Sequence, residues 1–273
     1  MGGVISLAFV NGKQMISANA IRDGLVQGEF FLEYLPTVSL ADGRCVGAEA
    51  LARWRRSSEV VQPDEFIPLI ERTYVLGMLA YWALEAVSKE LGDWLQLHKE
   101  LHISVNVPPE ILGRGGLEYT ASKTGVSEIR NQIILEVTER GIPDNRGIAA
   151  LEAASRSGVR IALDDVTLSA TNLVILSRCT LDLIKTDRSL VAQITPECPY
   201  PAWLRGLSAL LQSTRVAIIA EGVETEAQAK ALRAAGVSMA QGYYFSPPMS
   251  AEKLKAYHSR AGGQPGRSST GST

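Results

Sequence analysis

Cysteine, histidine and long apolar runs are all scarce in this 273-residue chain, and each scarcity removes a class of protein. The three cysteines, Cys45, Cys179 and Cys198, lie far apart, are odd in number and form no CxxC pair. That excludes a disulfide scaffold and a cysteine-based zinc module, and it fits the reduced thiols of a cytoplasmic protein. The three histidines show no metal-ligand spacing, so zinc chemistry is not expected. Apolar stretches stay well short of the ~18 residues of a membrane span. The opening MGGVISLAFV lacks the basic segment of a signal peptide, so neither membrane anchoring nor secretion is expected. An excess of one charge is missing too: 27 Lys and Arg face 29 Asp and Glu. A partner of long nucleic acid, which needs a basic face, is therefore not expected. A small anion held through bound cations is compatible with this balance.

What is present is a recurrent alternation. Short apolar runs, FFLEYLPTV, CVGAEALA, LHISVNV, QIILEVT, VRIALDD, LDLIKTD, VAIIAEGV and AQGYYFS, read as strands, several without the polar alternation of a half-exposed sheet. Between them lie segments of helical period, among them residues 66–95 and 147–158. Gly158 sits where a C-terminal glycine belongs. Thr225 and Gln228 have the spacing of a capping box. Eight strands alternating with helices over this length predict an α/β fold, a TIM-like (β/α)8 barrel with its site at the C-terminal rim. An open doubly wound sheet is the second choice, without a phosphate-binding glycine fingerprint to support it. Residues 1–16 read as an N-terminal extension, 17–260 as the barrel and 261–273, small, polar and glycine-rich, as a disordered tail.

The polar residues that interrupt these runs carry the functional signal. Glu49, Asn106, Glu136, Asp164 with Asp165, Lys185 and Glu221 fall near the ends of their runs, and Gln241 falls near the start of the last. In a barrel such ends converge. Converging carboxylates repel and lose hydration unless cations join them, and oxygen ligands suit Mg²⁺ or Mn²⁺. Any one of these residues alone could be an ordinary salt bridge or cap. Together they point to metal-dependent hydrolysis of a phosphate ester.

The segment GAEALARW, 47–54, contains Glu49-Ala50-Leu51. With PDEFIPLIE, SVN, LEVTE, DD, IKTD, AEGVE and QGYYFSPP in order, the chain from about 17 to 258 resembles the EAL-domain cyclic di-GMP phosphodiesterases. The resemblance implies opening of cyclic di-GMP to linear pGpG with Mg²⁺ or Mn²⁺, in a barrel whose first strand is commonly antiparallel and which pairs as a homodimer. It implies that Glu49, Asn106, Glu136 and Asp164 hold one metal, and that Asp164, Asp165 and Glu221 hold a second. Glu221 is alternatively a general base. Lys185 would orient the attacking water, with Asp187 supporting it. Arg53 would clamp phosphate and Gln241 would be a further contact, with Pro36 and Leu51 beside the ligand. Glu139 and Glu224 would brace the site from behind.

Two departures from the family pattern bear on activity. Tyr34-Leu35-Pro36 stands where the family has Tyr-Gln-Pro, so Leu35 forfeits a hydrogen bond to the ligand. DDVTLSATNL, 164–173, stands where the family has DDFGTGYSSL. Thr167 and Ser169 replace the glycines of that loop, and Val166 and Ala170 replace its aromatics. Two readings follow: a working, slow phosphodiesterase, or a receptor for the dinucleotide or for a protein partner, without turnover. Retention of every implied metal ligand weighs toward the enzyme. Regulation is expected from expression, dimerisation or a regulatory protein partner not yet identified.

Overall fold

The computed structural model describes residues 9–10, 13–14, 16–138, 144–166, 181–211 and 216–260. Eight strands form the barrel: β1 (Phe30–Ser39), β2 (Cys45–Arg56), β3 (His102–Asn106), β4 (Ile133–Thr138), β5 (Arg160–Val166), β6 (Leu183–Thr186), β7 (Ala217–Ala220) and β8 (Met239–Ala240). They pair in sequence order, and β1 closes the cylinder against β8 on one side and β2 on the other. A short strand, Glu59–Val61, folds back on the end of β2.

The strands from β2 onward run parallel, and β1 runs antiparallel to both neighbours. The cause is local. Only residues 40–44 separate β1 from β2, with Gly43 at φ +74°, whereas a parallel crossover needs a dozen or more residues. The expectations of a barrel and of an antiparallel first strand both hold.

Helices pack outside: α1 (Ala18–Gln27), α2 (Pro63–Ile70), α3 (Tyr74–Leu97), α4 (Gly116–Lys123), α5 (Asn145–Arg156), the short α6 (Arg188–Val191), α7 (Ala202–Leu211), α8 (Glu226–Ala234) and α9 (Ala251–Ser259). The run 66–95, of one helical period in the sequence, is two helices. Arg72 breaks it at φ +63°, and the Thr73 hydroxyl accepts the Val75 N–H to start α3. Gly158 does follow α5, at φ +98°, and Thr225–Gln228 is a capping box. Of the eight apolar runs, the last is displaced. Its strand is Met239–Ala240, and 242–245 form a turn.

Inside the cylinder, Ile134, Ala162, Leu183 and Ile219 form a buried apolar layer. The main core lies between strands and α3, with Leu84, Val87, Leu91, Ile103 and Leu135 buried. No helix among the described residues is long and apolar enough to cross a membrane. The tail 261–273, Glu139 and the loop from 167 to 173, with Ala170, lie outside the described residues.

Candidate metal and phosphate site

Strand register brings the polar ends together. Glu49 on β2 pairs with Ser104, Asn106 on β3 with Glu136, and Thr138 on β4 with Asp164. Between Leu163 and Val166 the β5–β6 ladder slips, and Asp165 takes φ +55°. Such an irregularity at a barrel rim re-aims side chains. Here two consecutive aspartates both reach the rim, where a regular strand would send them to opposite faces.

Lys185 lies at the centre. Its ammonium is 3.0 Å from Glu49 Oε2, 2.9 Å from Glu136 Oε1, 3.2 Å from Asp164 Oδ1 and 2.6 Å from Glu221 Oε1, with its side chain 0% exposed. Three N–H donors cannot align on four acceptors. Glu136 shows the shortfall: it is fully buried, and neither carboxylate oxygen has an aligned hydrogen-bond donor. Burial, and then the neighbouring Glu49 charge, push its carboxyl well above the usual range. Burial likewise raises Asp164, and it raises Glu221 to about 8. Glu49 is equally buried, yet Lys185, Gln241 and Asn106 together hold its carboxyl below the ordinary value. Burial disfavours the Lys185 ammonium, but the four carboxylates outweigh it and keep the proton on.

The amides tie this cluster down. Asn106 Nδ2 donates to Glu49 Oε1 at 3.2 Å, and Gln241 Nε2 donates to Glu49 Oε2 at 2.5 Å and to Glu221 Oε1 at 3.2 Å. Thr37, absent from the residues expected from sequence, donates to Gln241 Oε1 at 3.2 Å and so turns the amide nitrogen toward the acids. Its signal was modest: it lies two residues after Leu35, on the same strand face. Gln241 also owes its place to Gly242, at φ +152°, where a Cβ would stand 2.3 Å from the backbone N and O of Val223.

Other expected residues sit as follows. Leu35 is paired across the strands with Glu49, and Pro36 is buried one step further along β1. Arg53 is buried and donates through Nε to Glu33 Oε2 at 2.8 Å, a partner the sequence did not indicate. Asp187 is not among the carboxylates on Lys185. Its Oδ1 accepts the Ser189 N–H at 2.8 Å and caps α6, directly after the strand that bears the lysine. Glu224 is exposed, and its backbone N–H donates to Gln228 Oε1 at 2.8 Å. Beside the acids opens a cavity of about 560 Å³ lined by Leu51, Ile67, Leu76, Asn106, Pro108 and Asp165.

Two groups of three carboxylates could each hold an ion: Glu49, Glu136 and Asp164, and Asp164, Asp165 and Glu221, with Asp164 common to both. The residues fit metal. Their donors are all oxygens, and the aligned partners that Glu136 lacks are what a cation supplies.

A TIM barrel with carboxylates gathered at its C-terminal rim places the chain in the class of (β/α)8 domains whose rim could hold metal. More narrowly, the chain belongs to the EAL domain family, whose model matches residues 18–248. It is 31% identical over 236 residues to the "Probable cyclic di-GMP phosphodiesterase PdeB" of Escherichia coli K12, covering 85% of this chain and 45% of that protein. It is 30% identical over 258 residues to the "Bifunctional diguanylate cyclase/cyclic di-GMP phosphodiesterase MucR" of Pseudomonas aeruginosa, covering 89% and 36%. The chain thus spans less than half the length of these relatives. Among solved structures it resembles the PaMucR phosphodiesterase in complex with c-di-GMP, with a TM-score of 0.76, 28% identity, and coverage of 86% of this chain and 98% of that one.

Proposed function

We propose that this domain hydrolyses cyclic di-GMP to linear pGpG, with two divalent cations, Mg²⁺ or Mn²⁺, as cofactors. Charge is the observation that carries this reading. Five clustered carboxylates against one buried ammonium leave a formal excess of four negative charges, the charge of two divalent ions. Glu49, Asn106, Glu136 and Asp164 would hold one ion, and Asp164, Asp165 and Glu221 the other. When bound, the ions supply the positive charge that activates water and neutralises the attacked phosphate.

The remaining tasks fall to the chain. Lys185 carries three protons with no competing solvent and orients the attacking water. Glu221, at the cluster's more open side, takes that water's proton where it does not serve as a ligand of the second ion. Arg53 exchanges Glu33 for a phosphate oxygen of the ligand, for which a planar guanidinium is suited. Gln241 holds Glu49 and Glu221 apart at a set distance, and Asp187 steadies the end of β6. The apolar side of the cavity, with Leu51, receives a guanine face, and Leu35 and Pro36 lie beneath the phosphates. Glu224 supports the loop that opens α8, and a supporting role for Glu139 rests on the family likeness. A homodimer, a cytoplasmic setting and a regulatory protein partner belong to the same proposal, and their support is the family likeness.

Leu35 and the loop after Asp165 favour one second reading, a receptor that binds the dinucleotide without turning it over. Incubating the purified chain with cyclic di-GMP and Mn²⁺ separates the two. The expected result is pGpG formation that Glu49→Ala abolishes. Product no higher than in that control, with calorimetric binding of cyclic di-GMP retained, establishes the receptor instead.

A further inference from the structure

Two of the three histidines meet a glutamate at the end of the barrel opposite the acidic rim. His98 caps the C-terminus of α3, Glu100 follows in the turn before β3, and His258 lies in the last turn of α9. Tertiary packing here joins residues that the sequence keeps far apart. One ring nitrogen of each histidine and a carboxylate oxygen of Glu100 lie within 4.8 Å of one another. Glu100 Oε1 is 3.5 Å from His98 Nδ1 and 3.6 Å from His258 Nε2.

Those separations are long for hydrogen bonds, but they suit atoms sharing one ion. Two ligands at ~2.0–2.2 Å from a tetrahedral zinc stand about 3.3–3.6 Å apart. The second nitrogen of His258 is already engaged: Nδ1 faces the Cys45 carbonyl oxygen at 3.4 Å. A neutral ring that donates there presents an unprotonated Nε2 to Glu100, the arrangement that prepares a histidine for metal. Trp94 packs on both rings, at 5.4 Å and 5.5 Å, and the rings meet edge to face at 4.9 Å. Glu100 is 62% exposed and His98 36%, so an ion and its water can enter from solvent.

We propose that His98, Glu100 and His258 form a zinc site that fastens α9 to the end of α3. Imidazole nitrogens make it selective for zinc over the hard ions of the acidic rim. The two helices already touch through Lys255 Nζ, which donates to the Glu90 carbonyl at 2.9 Å. A bound ion adds a second cross-link, one helical turn or more further along.

The test uses the tag-free full chain carrying Glu49→Ala, in excess Mg²⁺, titrated with Zn²⁺ by calorimetry and melted with and without it. One Zn²⁺ per chain and a Zn²⁺-dependent rise in Tm are expected. The Kd should weaken at least tenfold on adding His258→Gln or Glu100→Gln. The Glu100 change alters an exposed side chain, so a loss there reports ligation and not misfolding. Zn²⁺ affinity equal with and without Glu100→Gln and His98→Ala overturns the proposal, as does a Tm indifferent to Zn²⁺.

Discussion

Lys185 has a dual position: it balances part of the charge of four carboxylates, and it shares their space with any ions they hold. Replacing it by methionine leaves buried carboxylates with no internal cation, a change that typically costs about 3–5 kcal/mol. Lys185→Met is therefore expected to lower the Tm sharply in chelator at pH 8. The loss should be smaller at pH 6, where Glu136, Asp164 and Glu221 can take up protons instead. Thermal melts at the two pH values check this, and equal losses would show that the lysine matters for packing and not for charge. Leu35, opposite Glu49 in the β1–β2 ladder, permits a gain instead of a loss. Leu35→Gln restores a donor and is expected to tighten cyclic di-GMP binding by about 0.5–1.5 kcal/mol, read as a change in Kd by calorimetry.

At the scale of the strands, β2 and β3 meet through a histidine held neutral by burial. His102 is 3% exposed with Nε2 unpartnered, and burial, with Arg160 nearby, drives its pKa down to about 3. It fits only because residue 47 is glycine: a Cβ there would stand 2.5 Å from the ring and 2.4 Å from the His102 carbonyl oxygen. In the unfolded chain the ring takes a proton near 6.5. The unfolded state thus binds more protons between the two values. Stability is complete above about pH 6.5 and declines as pH falls toward 3, by at most about 1.4 kcal/mol per pH unit. In urea melts from pH 7.5 to 5, His102→Leu should flatten this decline relative to the wild type. An unchanged slope would assign the acid sensitivity to other groups.

At the scale of the whole molecule, the proposed metal site at the acidic rim would couple ion binding to folding. Carboxylates drawn from β2 to β7 are brought together only in the closed barrel, so ions held there would bind the native state and not the unfolded chain. Stability should rise by about 2.7 kcal/mol at a Mn²⁺ concentration one hundred times the Kd. The Tm should keep climbing with Mn²⁺ beyond saturation and return on chelation. Glu136→Gln, which removes a ligand while preserving shape, should blunt that climb, and differential scanning fluorimetry across a Mn²⁺ series reads it directly. A Tm that ignores Mn²⁺ in the wild type would exclude the rim as a metal site.

Much of this was legible in one dimension. Burial on both faces leaves strands as unbroken apolar runs, and barrel geometry collects their polar ends, so Glu49, Asn106, Glu136, Asp164, Lys185 and Glu221 were visible as a set. The antiparallel start was implied by the family resemblance alone, and the five-residue turn that requires it emerged with the strand bounds. Other features depend on packing that no local pattern encodes. The break at Arg72, the bulge that turns Asp164 and Asp165 to one rim, the Arg53–Glu33 pair and the Asp187 cap at α6 are of this kind. The cluster of His98, Glu100 and His258 is the clearest case, since α9 returns to α3 only after the barrel has closed. The sequence by itself determined the alternation of elements and the acidic character of the rim, because burial and hydrogen bonding act on neighbours along the chain. The tertiary structure alone decided which charges meet and how far apart they stand, because those distances come from closure of the barrel and the packing of helices around it.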